Sequence, residues 1–160
     1  MRKLQKGLLH QPRPVLYDSG VMSRVLDDLF SGQRREFVEV HLAIVATREV
    51  YINQTTLFEL QPAVRVLKKR YPTRATRMAS AVADFAQLNL SKEIGQVAIS
   101  LKGGIEQLKF ADATIAATAI IHQLDLFTLN EADFAVIPGL RLYKPANYGE
   151  LLARISAAKG

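Results

Sequence analysis

The stretch from Leu108 to Ile121 leaves the fold the least freedom. After Asp112 come Ala113, Ile115, Ala116, Ala117, Ala119, Ile120 and Ile121, apolar almost all round at helical spacing. A helix without a polar face has to be buried, and its alanines let it lie close against a sheet. Asp112 heads this helix where it meets the surface, beside the positive end of the helix dipole. One role for it there is an N-cap, a common job for Asp. The other acids of the chain bear on whether it is more than that.

A buried helix needs a sheet to cover, and short apolar runs supply one. Val15-Leu16-Tyr17 reads as a strand stopped by Asp18-Ser19-Gly20, and Val50-Tyr51-Ile52 as a second, β-branched and aromatic. Gln87 to Leu90, Leu126-Phe127-Thr128 and Leu140 to Tyr143 follow as further strands. Helices are expected between them: Val21 to Phe30, Glu36 to Arg48, a third capped by Thr55 or Thr56, and a fourth capped by Thr73. A fifth opens at Ser91 and stops at Gly103-Gly104, and a terminal helix spans Tyr148 to Ala158. Strands alternating with helices imply a three-layer α/β/α sandwich around a central, mainly parallel sheet. Residues 1–13 read as a basic, poorly ordered lead-in, 14–145 as the domain, and 146–160 as a C-terminal helix or tail.

Composition narrows the function classes. The 160 residues suit one domain with a sizeable core. Cysteine is absent, which excludes a disulfide framework, a thiolate metal site and a thiol nucleophile, and fits a cytoplasmic location. No apolar run of about 18 residues indicates a membrane span. The net charge of +6 favours a polyanionic partner. None of the three histidines, His10, His41 and His122, stands in a metal-ligand or nucleophile arrangement.

Four acids fall at one inferred rim of the sheet. Asp18 directly follows the first strand, Glu59 lies on the first turns of the helix after the second, Asp112 heads the buried helix, and Asp133 lies five residues beyond Thr128. Each has a plain structural alternative: Asp18 or Asp133 as a cap, Glu59 as an exposed helix acid. Gathered, they would repel one another until a proton or a cation relieved them. Their hard oxygen donors suit Mg²⁺ or Mn²⁺ rather than zinc. Such an ion grips phosphate oxygens and acidifies water, so on a basic protein the natural substrate is a phosphodiester.

These motifs resemble those of PIN-domain proteins. Val15-Leu16-Tyr17-Asp18-Ser19 resembles the family's opening strand, and Thr56-Leu57-Phe58-Glu59-Leu60 its second acidic motif. Leu108 to Ala119 is similar to the third, and Leu126 to Phe134 with Ile137-Pro138-Gly139-Leu140 to the closing one. The resemblance covers roughly residues 15–145 and is nearest to VapC-type toxins of bacterial toxin–antitoxin pairs. It implies a metal-dependent ribonuclease in which Asp18, Glu59, Asp112 and Asp133 hold Mg²⁺ or Mn²⁺, supported by Ser19, Thr128 and Asn130. The implied reaction is attack of water on an RNA phosphodiester, leaving a 5′-phosphate and a 3′-hydroxyl. The implied partners are tRNA or another structured RNA, a small VapB-type antitoxin and a second copy of the chain. An RNA-binding module with little nuclease activity is the alternative.

The sequence departs from the family pattern at Gly20, where an Asn often stands, and is hardest to align from Tyr71 to Ser91. Within that region and just before it, Lys68, Lys69, Arg70, Arg74 and Arg77 form the densest basic group. It reads either as an RNA backbone contact or as a solvated helix end whose cations suit the dipole.

Overall fold

A computed structural model describes residues 12–159, so most of the basic lead-in at 1–13 lies outside the described residues. Five strands form one sheet: β1 (Val15–Tyr17), β2 (Val50–Asn53), β3 (Ala86–Leu88), β4 (Asp125–Phe127) and β5 (Arg141–Leu142). Their order is β3-β2-β1-β4-β5, and every pairing is parallel. Eight helices connect or follow them: α1 (Ser19–Ser31), α2 (Glu36–Val45), α3 (Gln54–Arg70), α4 (Pro72–Ala83), α5 (Lys92–Gly104), α6 (Phe110–Ile121), α7 (Glu131–Ala135) and α8 (Tyr148–Lys159).

Alternation along the strands splits the core in two. Val15, Tyr17, Ile52 and Phe127 face one side and pack with Val21, Val25, Phe37, Ile44, Leu60, Met78 and Leu151 from α1–α4 and α8. Leu16 and Leu126 face the other, with Ile94, Ala98, Phe134 and the buried side of α6. The result is the three-layer α/β/α sandwich expected of the strand–helix alternation. From Ala113 to Ala119 every residue of α6 is buried, as an all-apolar helix has to be.

Helix starts depart from the sequence reading. Asp112 is the third residue of α6 and not its cap, because the chain turns helical at Phe110, after Lys109. Neither Thr55 nor Thr56 caps α3; Asn53, the last residue of β2, does so by accepting from the Thr56 amide at 3.0 Å. Thr73 does not cap α4, which opens one residue earlier at Pro72, where a fixed φ suits the first helical position. By contrast α5 opens after Ser91 and ends at Gly104, as its cap and its Gly103-Gly104 stop imply.

The last helix is packed down. Leu151 is buried, and the Arg154 guanidinium donates to both Asp28 oxygens and, at 2.9 Å, to Glu36. It also stacks over the Phe37 ring at 5.2 Å. This clamp ties α8 to α1 and α2.

Candidate active site

The chain runs from β1 outward to β2 and β3, then returns through α5 and α6 to β4 on the other side of β1. That reversal opens a crevice at the carboxyl ends of β1 and β4, the place where ligands bind in open parallel sheets. Asp18 follows β1 and Thr128 follows β4, so the two flank it. The Asp18 amide donates to the Phe127 carbonyl at 3.2 Å and prolongs the sheet by one bond.

Asp18 is held from two sides. One carboxylate oxygen accepts from the Val21 amide at 2.9 Å as the N-cap of α1, and the other accepts from the Thr128 hydroxyl. Thr128 is itself buried; its hydroxyl also accepts from the Asn130 amide at 3.0 Å, and its carbonyl accepts from the Tyr148 hydroxyl at 2.8 Å. Asn130 then donates its side-chain amide to Asp133. Thr128 and Asn130 are thus each bonded to one of the acids, Asp18 and Asp133. Ser19 begins α1 beside Asp18, and among the described residues its hydroxyl makes no hydrogen bond to the four acids.

The other two acids arrive on helices. Glu59 is exposed on the second turn of α3, and Asp112 is half-buried in the first turn of α6. A polar ladder locks these helices together. Thr55 and Thr114 share a hydrogen bond of 2.7 Å, and the Asn53 side chain donates to the Thr118 hydroxyl at 3.2 Å. Sequence reasoning missed this ladder, although Thr114 and Thr118 were visible as the hydroxyls, one turn apart, of an otherwise apolar helix. It also missed Tyr148, which no motif signalled.

Burial and neighbouring carboxylates act together on Asp18 and Asp112. Burial pushes the Asp18 carboxyl up, the Thr128 and Val21 bonds pull it back, and Asp112 and Glu59 raise it again, to about 6. Asp112 is raised by burial and by Glu59 and Asp133, against the pull of Lys109. Among the described residues, no three such side chains stand close enough to form a ready ligand shell. Four mutually repelling carboxylates do not close up by themselves. Their hard oxygen donors and shared excess of negative charge nevertheless fit a divalent cation that keeps several waters.

Cavities surround the acids. One of about 590 Å³ is lined by Asp18, Gly20, Arg24 and Asn130 on one side and by Leu152 and Ile155 of α8 on the other. A small one of about 70 Å³ lies between Asp112, Lys109 and Asp133. A third, of about 370 Å³, is almost wholly apolar and places Phe58 and Phe110 beside Glu59. The basic group is elsewhere. Arg70, Arg74 and Arg77 line a separate cavity of about 460 Å³ with Phe30 and Tyr71, while Lys68 and Lys69 are exposed and do not line it. Glu59 and Arg70 are eleven residues apart on α3, roughly 16 Å of helix. A cavity of about 520 Å³ beside His41, Arg48 and Phe85, at the starting ends of β2 and β3, holds none of the four acids.

The PIN domain family model matches residues 15–140. No curated protein matches the sequence. A chain of a toxin–antitoxin complex from Klebsiella pneumoniae is 34% identical, with 82% of this chain and 99% of that one covered and a TM-score of 0.60. A chain of VapBC2 from Rickettsia felis, bound to a DNA fragment from its promoter, superposes with a TM-score of 0.68 at 19% identity, covering 81% and 96% of the two chains. FitAcB from Neisseria gonorrhoeae gives 0.64 at 20% identity, covering 82% and 97%.

Proposed function

The chain belongs to the PIN domain family, whose members are typically nucleases, and from that premise we propose that it is a Mg²⁺-dependent endoribonuclease, the toxin of a toxin–antitoxin pair. The observation that carries this reading is the seating of Asp18 by Thr128 at the sheet's switch point, with Glu59 and Asp112 near enough to raise its carboxyl. Asp18, Glu59, Asp112 and Asp133 would hold the ion, Mg²⁺ or Mn²⁺. Bound there, such an ion supplies Lewis-acid polarisation of a phosphodiester oxygen and a water that ionises near neutral pH.

The chain's own residues provide the rest. The Thr128 hydroxyl and the Val21 amide hold the Asp18 carboxylate in one orientation, so it need not rearrange during the reaction. Asn130 orients Asp133 in the same way. The first turn of α6 sets Asp112 at the positive end of a helix dipole, which favours its charged form. The substrate is RNA, a tRNA or other structured RNA, cut to leave a 5′-phosphate and a 3′-hydroxyl. The partners are a small VapB-type antitoxin, a reading supported by the likeness to a chain of a toxin–antitoxin complex, and a second copy of the chain. Exposed Phe58 and Val66, two turns apart on one face of α3, support self-association.

The test is RNA cleavage with Mg²⁺, with Mn²⁺ and with chelator. Cleavage is expected in both metals, is lost in chelator, and is lost with Asp112→Asn. Cleavage that persists in chelator would sink the metal mechanism. Gly20, which lacks the side chain the family often places beside Asp18, favours the second reading, an RNA-binding module; intact RNA with salt-sensitive binding would establish it.

A further inference from the structure

A nucleic acid approaching a cluster of carboxylates is repelled, so a strand needs positive charge close by to hold it there. Lys68, Lys69 and Arg70 of the densest basic group lie at the far end of α3 from Glu59, and Arg70, Arg74 and Arg77 line a cavity that holds none of the four acids. The cavity of about 590 Å³ that contains Asp18 holds a nearer cation, Arg24. Arg24 is half-buried, and among the described residues it makes no hydrogen bond or ion pair. Asp27 feels its charge, yet lies beyond ion-pair distance. A guanidinium partly withdrawn from water and left without a partner has its fork of donors free for an anion.

Its position on α1 points the same way. Gly20 and Arg24 are four residues apart and share one face of the helix. Gly20 has no side chain to fill the path along the cavity from Asp18 to Arg24. A Cβ at Gly20 would stand 3.5 Å from the Asp18 carboxylate, so a side chain would fit but would occupy that path. Opposite, Leu152 and Ile155 of α8 form an apolar wall. The cavity is thus a channel with a carboxylate at one end, an unpartnered guanidinium six residues on along α1 (about 9 Å of helical rise), and two apolar α8 residues against which a sugar or base can rest.

We infer that Arg24 binds the RNA phosphate next to the one being cleaved, and that the strand leaves the carboxylates along the channel between α1 and α8. This rests on the ribonuclease reading and adds to it the direction of the strand and the residue that grips it. Arg24 touches substrate but not the reacting atoms, so it sets affinity rather than chemistry.

The experiment measures binding of a short fluorescent single-stranded RNA by anisotropy across a salt series, with Ca²⁺ replacing Mg²⁺, for wild type, Arg24→Gln and Arg24→Lys. Circular dichroism and a urea midpoint check that each variant is folded. For Arg24→Gln the Kd is expected to rise about tenfold, and the slope of log Kd against log salt to fall by about 0.7, the share of one phosphate contact on a single strand. Arg24→Lys is expected to keep the wild-type slope with an intermediate Kd. An unchanged Kd and slope in folded Arg24→Gln would overturn the channel while leaving the nuclease reading intact. A wild-type protein with no RNA affinity would overturn both.

Discussion

At the scale of single residues, Asp18 carries the most opposed forces. Burial and two acidic neighbours drive its carboxyl towards the protonated form, while the Thr128 hydroxyl and the Val21 amide pull it back. The balance, at about 6, lies above the ordinary carboxylate value, so the folded protein binds this proton more tightly than the unfolded chain. The stability tied to the proton is therefore complete below about pH 4 and is lost as the pH rises through 6. Asp18→Asn removes the charge and keeps a side chain suited to an N-cap. In chelator at neutral pH it should raise stability by roughly 2 kcal/mol, a Tm gain of about 5 °C, with little gain at pH 4; equal gains at both pH values would refute the sign. Thr128→Val deletes a bond that favours the charged form, so the Asp18 titration seen by carboxyl NMR should move to still higher pH. That Asp18 matters was legible from its place after an apolar strand. Its depth, and its dependence on Thr128 across 110 residues of chain, were not, because only the fold brings those two together.

At the scale of elements, the sequence told strands from helices well and their starts badly. At α3, α4 and α6 a good capping residue stood one to three positions inside the true start. In α3 the end of the preceding strand set the boundary, since the residue closing β2 is also the one that caps the helix. Local preference was outvoted by where the sheet releases the chain. The terminal helix shows the converse. Its apolar spacing was legible, but its clamp was not, because Asp28 and Arg154 are charged residues that look solvated in sequence. The Asp28 side chain is fully buried and Arg154 nearly so. Burial alone would raise the Asp28 carboxyl, but the Arg154 guanidinium and the Phe37 amide hold it below its usual value. Arg154→Ala strands a buried carboxylate, which costs about 3 kcal/mol, and thermal melts should fall by about 9 °C. A lowered carboxyl contributes stability at neutral pH that is lost in acid. The gap between wild type and variant should therefore narrow below the ordinary carboxylate range.

At the scale of the molecule, the all-apolar helix and the β-branched runs made the parallel sandwich legible, since little else buries such segments. Strand order was not, and strand order is what sets Asp18 beside Thr128: they follow β1 and β4, which pair in the sheet although 110 residues separate the two side chains. The basic group was legible as a run of charge but not as the lining of a cavity that holds none of the four acids. A site of repelling carboxylates stores destabilisation that a bound cation releases. Added Mg²⁺ should therefore raise the Tm of wild type by mass action and leave Asp112→Asn nearly unmoved. An equal rise in both would place the ion elsewhere.

The bond from the Tyr148 hydroxyl to the Thr128 carbonyl has a consequence for biosynthesis. Asp18 leaves the ribosome early, yet the loop that seats it is anchored by a residue made some 130 positions later. A nascent chain that has not yet emerged as far as Tyr148 carries all four acids and lacks that anchor. The edge that carries Asp18 and Thr128 is thus finished last, so a growing chain completes most of its own translation before that edge is fully set.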